Sequence, residues 1–294
     1  MLSPWRSESV AAAAPGVFMP LVKEQNTMIR EYSYDSYLRK IIHKIKLFQF
    51  KKIQGRRFHS IFINTLPKSG SLYLLTRITK GLRIHSMRIS SGYFPLDIID
   101  LVRLEEFLAG QFMCQGHVTP NPLNIRIVDA SLDRMWLHVR DPRQALISML
   151  HHLDRTLQIS NALALSVSMP AAYGIKDWYG LSFEAKVDAL IEGYYPDCIR
   201  FIEDWLACEK TFTRTKMLVT QHEDLKRSEE ELLERVFDFY EVPRNLFELV
   251  QLKRNMMTHY RKGASREWAS VMTPAQQERV TAALPKALSA RFGW

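Results

Sequence analysis

Two short stretches of this sequence combine residue types that can hold a bound anion. The first is Phe62-Ile63-Asn64-Thr65-Leu66-Pro67-Lys68-Ser69-Gly70-Ser71-Leu72-Tyr73. It reads as an apolar strand, a tight loop with Pro and Gly, and the start of a helix. Such a junction aims free backbone N–H groups and the positive end of the helix at an anion. Lys68 adds a mobile positive charge, and Ser69 and Ser71 add hydroxyl donors. Taken alone, the stretch serves equally as a plain connection between strand and helix. The second is Trp136-Leu137-His138-Val139-Arg140-Asp141-Pro142-Arg143-Gln144-Ala145-Leu146-Ile147-Ser148. Arg140 ends an apolar run there, and Pro142 opens a helix at a position where its missing N–H does no harm. A guanidinium grips a phosphate through two parallel bonds. Without further context, Arg140 beside Asp141 also reads as a local ion pair, and Ser148 as an ordinary helix residue.

The first loop is not that of a nucleotide triphosphatase. That motif places a Gly five residues before Gly-Lys-Ser/Thr. Here Lys68 precedes Gly70 and no Gly comes before it in the loop. Kinase and ATPase readings fall with it.

The elements that position these stretches follow from hydrophobic pattern. Strands are expected at 61–63, 112–114, 135–139 and 217–219. Helices are expected at 72–82, 96–109, 142–153 and 229–240, with one or two more over 183–208. Alternating strands and helices imply an α/β fold with a central parallel β-sheet flanked by helices. A single catalytic domain is expected over 58–294, preceded by a basic, partly helical N-terminal extension over 1–57.

Composition narrows the classes. The chain has 294 residues, 47% hydrophobic and 24% charged, enough for a substantial core. Its net charge is +9, but residues 1–60 hold 11 of the 40 basic side chains and only 4 of the 31 acidic ones, so seven of those nine charges sit there. The rest is nearly balanced, which argues against a nucleic-acid binder; the basic run also lacks interleaved stacking aromatics. Residues 39–57 carry eight Lys and Arg and no acid. They read as a packed helix with a solvated basic face, or as one making weak contact with a membrane surface. Glu8, Pro15 and Pro20 interrupt any secretory signal, and no apolar run approaches the ~20 residues of a membrane span. Three widely spaced cysteines suit a reducing compartment, so a cytoplasmic protein is expected.

The first stretch resembles the 5′-phosphosulfate loop of the sulfotransferases that use PAPS (3′-phosphoadenosine 5′-phosphosulfate), a pattern close to Pro-Lys-Ser-Gly-Thr-Thr-Trp. Pro67, Lys68, Ser69 and Gly70 match as they stand. Ser71 and Leu72 replace the two Thr, and Tyr73 stands at the Trp, where it could stack on adenine. Three more segments resemble the family in the same order. Arg140 and Ser148 match the pair that holds the 3′-phosphate. Val219-Thr220-Gln221-His222-Glu223-Asp224-Leu225 is similar to a strand ending in Tyr-Glu-Asp-Leu, with His222 at the Tyr that contacts adenine. Arg261-Lys262-Gly263-Ala264-Ser265-Arg266-Glu267-Trp268 resembles Arg-Lys-Gly-x-x-Gly-x-Trp, whose Arg, Lys and Gly close over the 3′-phosphate; Arg266 replaces the second Gly.

The resemblance implies a P-loop-like sulfotransferase fold and in-line transfer of a sulfuryl group from PAPS, leaving PAP and needing no metal. Lys68 would stabilise charge on the leaving phosphate. The acceptor needs a base with a pKa near neutrality, which favours histidine. His117, in Cys114-Gln115-Gly116-His117-Val118-Thr119-Pro120, stands where the family has its catalytic His after a short strand, with Gln115 where some members have Lys. The long, weakly periodic stretch 155–179 is expected to line the acceptor pocket. A small organic acceptor is expected, with a hydroxyl or an amine or carbamoyl nitrogen. A bacterial secondary metabolite or alkaloid-like toxin is the preferred case. The alternatives are a catalytically silent PAP- or nucleotide-binding protein of the same fold, and a carbohydrate or lipid sulfotransferase.

Overall fold

A computed structural model describes residues 58–156, 173, 177–252 and 266–294. The expected extension over 1–57, most of the stretch 155–179, and Arg261, Lys262 and Gly263 lie outside the described residues.

The chain runs through β1 (Ile61–Thr65), α1 (Ser71–Leu82), β2 (His85–Ser86), β3 (Ser90–Ser91), β4 (Ile98–Ile99), α2 (Leu101–Ala109), β5 (Phe112–Gly116), α3 (Pro122–Ser131), β6 (Arg134–Val139) and α4 (Pro142–Thr156). It continues through α5 (Phe183–Glu192), α6 (Tyr194–Thr211), β7 (Lys216–Gln221), α7 (His222–Arg227) and α8 (Glu229–Tyr240). A 3-10 turn spans Arg244–Leu246, and α9 (Trp268–Val271), α10 (Pro274–Ala283) and α11 (Lys286–Phe292) follow.

Five strands form one parallel sheet in the order β2-β5-β1-β6-β7, and β3 and β4 pair antiparallel beside it. The expected α/β architecture, a parallel sheet flanked by helices, is the one observed. β1 is central and its five residues are fully buried, as a β-branched run in a two-faced sheet requires. Ile61 and Ile63 pack with Leu74 and Ile78 of α1 and with Leu232, Val236 and Phe237 of α8. After β1 the chain fills one side of it with β2 and β5, then crosses to the other side with β6 and β7. The loops leaving β1 and β6 therefore meet at the carboxyl edge where the strand order reverses, the usual ligand crevice of open α/β sheets.

Local chemistry explains where sequence pattern and structure part. The helix expected from Leu96 starts at Leu101, because the Asp100 carboxylate accepts from the N–H groups of Val102 and Arg103 and caps it there. The helical stretch expected over 183–208 is two helices divided at Gly193. α3, capped by Asn121 with Pro122 in its first turn, and α10, opened by a Thr273/Gln276 capping box, carry start signals stronger than their apolar periodicity. Among the described residues, no helix is long and apolar enough to cross a membrane.

One polar side chain inside β1 ties the sheet to the segment after β5. Asn64, fully buried, donates from Nδ2 to the Val118 carbonyl at 3.1 Å and accepts from the Val118 N–H at 2.8 Å. The Trp205 indole N–H on α6 also donates to the Val118 carbonyl, at 2.9 Å. Replacing Asn64 with Leu leaves the Val118 N–H buried without an acceptor. That should lower stability by about 1–3 kcal/mol, read from urea denaturation. A loss under about 0.5 kcal/mol, the level of an ordinary surface change, would contradict this account.

Candidate functional site

The loop after β1 turns through two left-handed residues, Lys68 at φ 72° and Gly70 at φ 91°. Gly70 suits that conformation; Lys68 is held in it by neighbours. Every carbonyl from Leu66 to Ser69 is bonded. Ser69 Oγ donates to the Leu66 carbonyl at 2.7 Å. The Tyr194 hydroxyl donates to the Pro67 carbonyl at 3.3 Å. Arg140 donates from a guanidinium nitrogen to the Lys68 carbonyl at 2.8 Å. His138 Nε2 and His222 Nδ1 both reach the Ser69 carbonyl, at 3.1 and 3.0 Å. By contrast, the N–H groups of residues 68–72 find no acceptor among the described residues. A run of such donors at a helix start is a nest for an anion.

Of the sequence-selected residues, Arg140 and His222 meet the loop that carries Lys68, Ser69 and Gly70. The Ser69 hydroxyl proton closes the loop on itself rather than facing outward. Ser71, at the start of α1, is nearly buried, while Leu72 is exposed. The Tyr73 hydroxyl donates to Glu229 at 2.8 Å and accepts from Arg77 at 2.7 Å, with the Arg77 guanidinium 5.3 Å from the ring centre. Burial foremost pushes that phenol above its ordinary range. Tyr73 is therefore anchored to α1 and α8. Ser148 is half-buried on α4, two turns beyond Arg140.

Arg261, Lys262 and Gly263 lie outside the described residues, but the end of their motif lies within them. Trp268 lies under the Arg143 guanidinium, 4.2 Å from ring centre to Cζ. Gln144 Oε1 accepts from the Glu267 N–H at 2.7 Å. Arg143 is itself held by Asp141, with Nε and a terminal nitrogen at 3.0 and 2.9 Å. So α4, which carries Ser148, also anchors the chain just after the motif. Arg143 and Gln144 were not singled out in the sequence, although both lie within the Arg140 segment.

Burial sets the charge state of the site. Lys68 is pushed down to about 7, first by desolvation and then by the Arg155 and Arg140 charges. Arg140 is lowered by burial, with Glu223 the leading opposing charge. The Glu223 carboxyl is raised by its own burial. The His222 Nε2 is buried with no hydrogen-bond partner among the described residues.

His117 sits beside this loop. Its Nδ1 lies 2.7 Å from the Thr65 carbonyl, which can only accept, so Nδ1 carries the proton. Nε2 is then a lone pair, and Gln115 donates its amide N–H to it at 3.2 Å. The backbone N–H of His117 donates to the buried Asp97 carboxylate at 3.3 Å. Desolvation holds the His117 pKa below its ordinary value. Thr65, Gln115 and Asp97 are site residues that only the fold reveals, apart from Gln115, which the comparison with Lys had marked.

A family model for the sulfotransferase domain matches residues 111–291. This chain belongs to the sulfotransferase domain family. The match takes in His117, Arg140, Ser148, His222 and Arg261–Gly263, while the loop after β1 lies outside it. Among solved structures, mouse sulfotransferase SULT7A1 complexed with PAP is similar at a TM-score of 0.50 and 16% identity, over 83% of this chain and 90% of that one. The sulfotransferase from Alicyclobacillus acidocaldarius is similar at 0.44 and 14%, over 79% and 98%. The sulfotransferase domain from the curacin biosynthetic pathway is similar at 0.45 and 13%, over 78% and 98%. The mouse protein shows the shared fold. No curated protein sequence matches the chain.

In this sulfotransferase two buried imidazoles are kept neutral. His138 is pushed down to about 4 and His222 to about 3, in each case by desolvation first. The unfolded chain takes up these protons near pH 6.5, before the folded one does. Stability is therefore lost as pH falls below about 6.5, by at most ~1.4 kcal/mol per pH unit for each histidine. Thermal melting between pH 7.5 and 5 should show this slope, and His138→Gln should make it shallower. An unchanged slope in that variant would contradict the assignment.

Proposed function

We propose that this chain transfers a sulfuryl group from PAPS to a hydroxyl or an amine or carbamoyl nitrogen of a small organic acceptor. The observation that carries the reading is the loop 66–70, whose bonded carbonyls leave a row of N–H donors beside Lys68 and His117. The fold it shares with a mouse enzyme that binds PAP and the four family-like segments support the same donor. The residues present suit a phosphosulfate: a nest of N–H groups, an ammonium and a guanidinium, arranged at a strand–helix junction.

When bound, PAPS supplies the sulfuryl group. The loop N–H groups and Lys68 would hold its 5′ end and offset negative charge there. Arg140 and Ser148, with Arg261, Lys262 and Gly263, would hold the 3′-phosphate and so select PAPS over other adenine nucleotides. His222, with Nδ1 committed to Ser69, has its Nε2 lone pair available to adenine. His117 takes the acceptor proton at Nε2, where the Gln115 amide gives way to the acceptor. It is suited to this because its tautomer is set by Thr65 and burial keeps it neutral at pH 7. The near-balanced charge beyond residue 60 favours a small acceptor over a polyanionic polysaccharide.

His117→Ala and Lys68→Ala should each abolish turnover, by a factor of about 100 or more for loss of a general base. PAP binding by calorimetry should survive His117→Ala. Near-normal turnover of His117→Ala on the true acceptor would sink the base assignment. PAP binding should also depend on pH through Lys68. Below about 7 its ammonium is already charged; above that, binding must draw in a proton. Affinity should therefore fall from pH 7 to 9 with net proton uptake, measured by calorimetry in buffers of different ionisation enthalpy. Lys68→Met should remove the uptake, and uptake that persists in it would assign the titration elsewhere.

A further inference from the structure

We propose that His138 is a positioning residue for the anion loop: its Nε2–H holds the Ser69 carbonyl from behind and so turns the Gly70 N–H toward the bound 5′-phosphate end. The inference rests on the reading of that loop as the donor site and adds a residue to it that contacts neither donor nor acceptor.

The direction of each hydrogen bond follows from what each atom can do. The Trp136 indole N–H can only donate, and it meets Thr220 Oγ1 at 2.6 Å. Thr220 Oγ1 in turn lies 2.7 Å from His138 Nδ1. The Ser69 carbonyl beside Nε2 can only accept, so the neutral ring is bare at Nδ1 and the hydroxyl sends its own proton there. His138 therefore carries its proton on Nε2, 3.1 Å from the Ser69 carbonyl. The opposite tautomer would set an Nε2 lone pair against the lone pairs of that oxygen. Burial, which pushes His138 well below its ordinary range, keeps the ring neutral so that the arrangement persists.

The Ser69 carbonyl has two lone pairs, and His222 Nδ1–H takes the second at 3.0 Å. In a trans peptide the C=O and N–H point in opposite directions. A carbonyl drawn toward β6 and α7 therefore sends the N–H of the next residue, Gly70, the other way. That residue's φ of 91° and the 72° of Lys68 flank the turned peptide. A Cβ on Gly70 would stand 3.2 Å from His222 Nδ1, so the ring and the loop are already in close contact. His138 differs from the other groups behind the loop. It is fully buried in a strand with both nitrogens engaged. A histidine there, between Leu137 and Val139, has a use only if its N–H is needed.

The test uses the whole chain and PAP as the probe. His138→Leu should weaken PAP binding about tenfold, the scale of one hydrogen bond, with the acceptor KM unchanged. His138→Gln, whose amide N–H can reach the same carbonyl, should recover most of that loss. Thr220→Val, which frees the tautomer, should fall between. Binding by His138→Leu within twofold of the unaltered chain would overturn the proposal, as would equal losses in His138→Leu and His138→Gln. Should His138→Leu fail to fold, Thr220→Val decides by the same twofold criterion. Nitrogen-15 spectra of the imidazole provide a readout independent of the ligand. The expected state at pH 7 is neutral and protonated on Nε2; a ring protonated on Nδ1 would refute the mechanism. Should the unaltered chain not bind PAP, the donor assignment fails, while the spectra still decide whether His138 holds the loop.

Discussion

Parallel register places Thr65 of β1 opposite His138 of β6, and His138 opposite Thr220 of β7. One step earlier, Asn64 faces Gly116, which puts His117 level with Thr65 on the other side. Four strands thus present a polar row at the carboxyl edge of an otherwise apolar sheet. The row orients His117, sets the tautomer of His138 and, through it, the carbonyl of Ser69. A slip of one residue in any pair would send these side chains to the opposite face. The buried runs in β1 and β6 leave no such freedom, because the slipped register would place Asn64 and His138 against the wrong neighbours without hydrogen-bond partners.

The chemistry of the site follows from the burial of its charges. Lys68 is lowered first by desolvation and then by the Arg155 and Arg140 charges. Glu223 is the carboxylate nearest in influence to Arg140, and its own burial works against full ionisation. Desolvation therefore weighs first on the charges of all three. The base beside it is of a different kind: His117 is neutral, fixed by a carbonyl on one nitrogen and bonded to a neutral amide on the other. Positive charge and proton-accepting capacity occupy adjacent places without a cation directly bonded to the imidazole.

Much of this was legible in the sequence wherever the signal was local. Pro67 to Gly70, Arg140 followed by Pro142, and the strands at 61–63 and 135–139 can be read from adjacent residues. Asp100, Asn121 and Thr273 are local start signals too, but the apolar pattern placed one start at Leu96 and passed over the other two. What could not be read depends on register between distant strands. Thr65, His138 and Thr220 acquire their roles only when β1, β6 and β7 lie side by side, and Asn64 only when Val118 comes beneath it. A polar residue within an apolar strand run was the visible sign of both Asn64 and His138, but no spacing rule says which partner awaits it. Tyr73 shows the converse. Its place in the motif suggested a stacking surface for adenine, whereas a partner 156 residues away, Glu229, fixes its hydroxyl.

The bond between His222 and Ser69 spans 153 residues of chain. On a ribosome adding roughly 5–20 residues per second, β7 and α7 emerge about eight to thirty seconds after the loop they complete. During that interval the loop gains Arg140 and His138 as they emerge, but not the His222 bond to the Ser69 carbonyl. A nascent chain can form local helices in that time. One stalled before residue 222 has only one of the two imidazoles that hold the Ser69 carbonyl, so the loop reaches its final shape only once the far edge of the sheet is made.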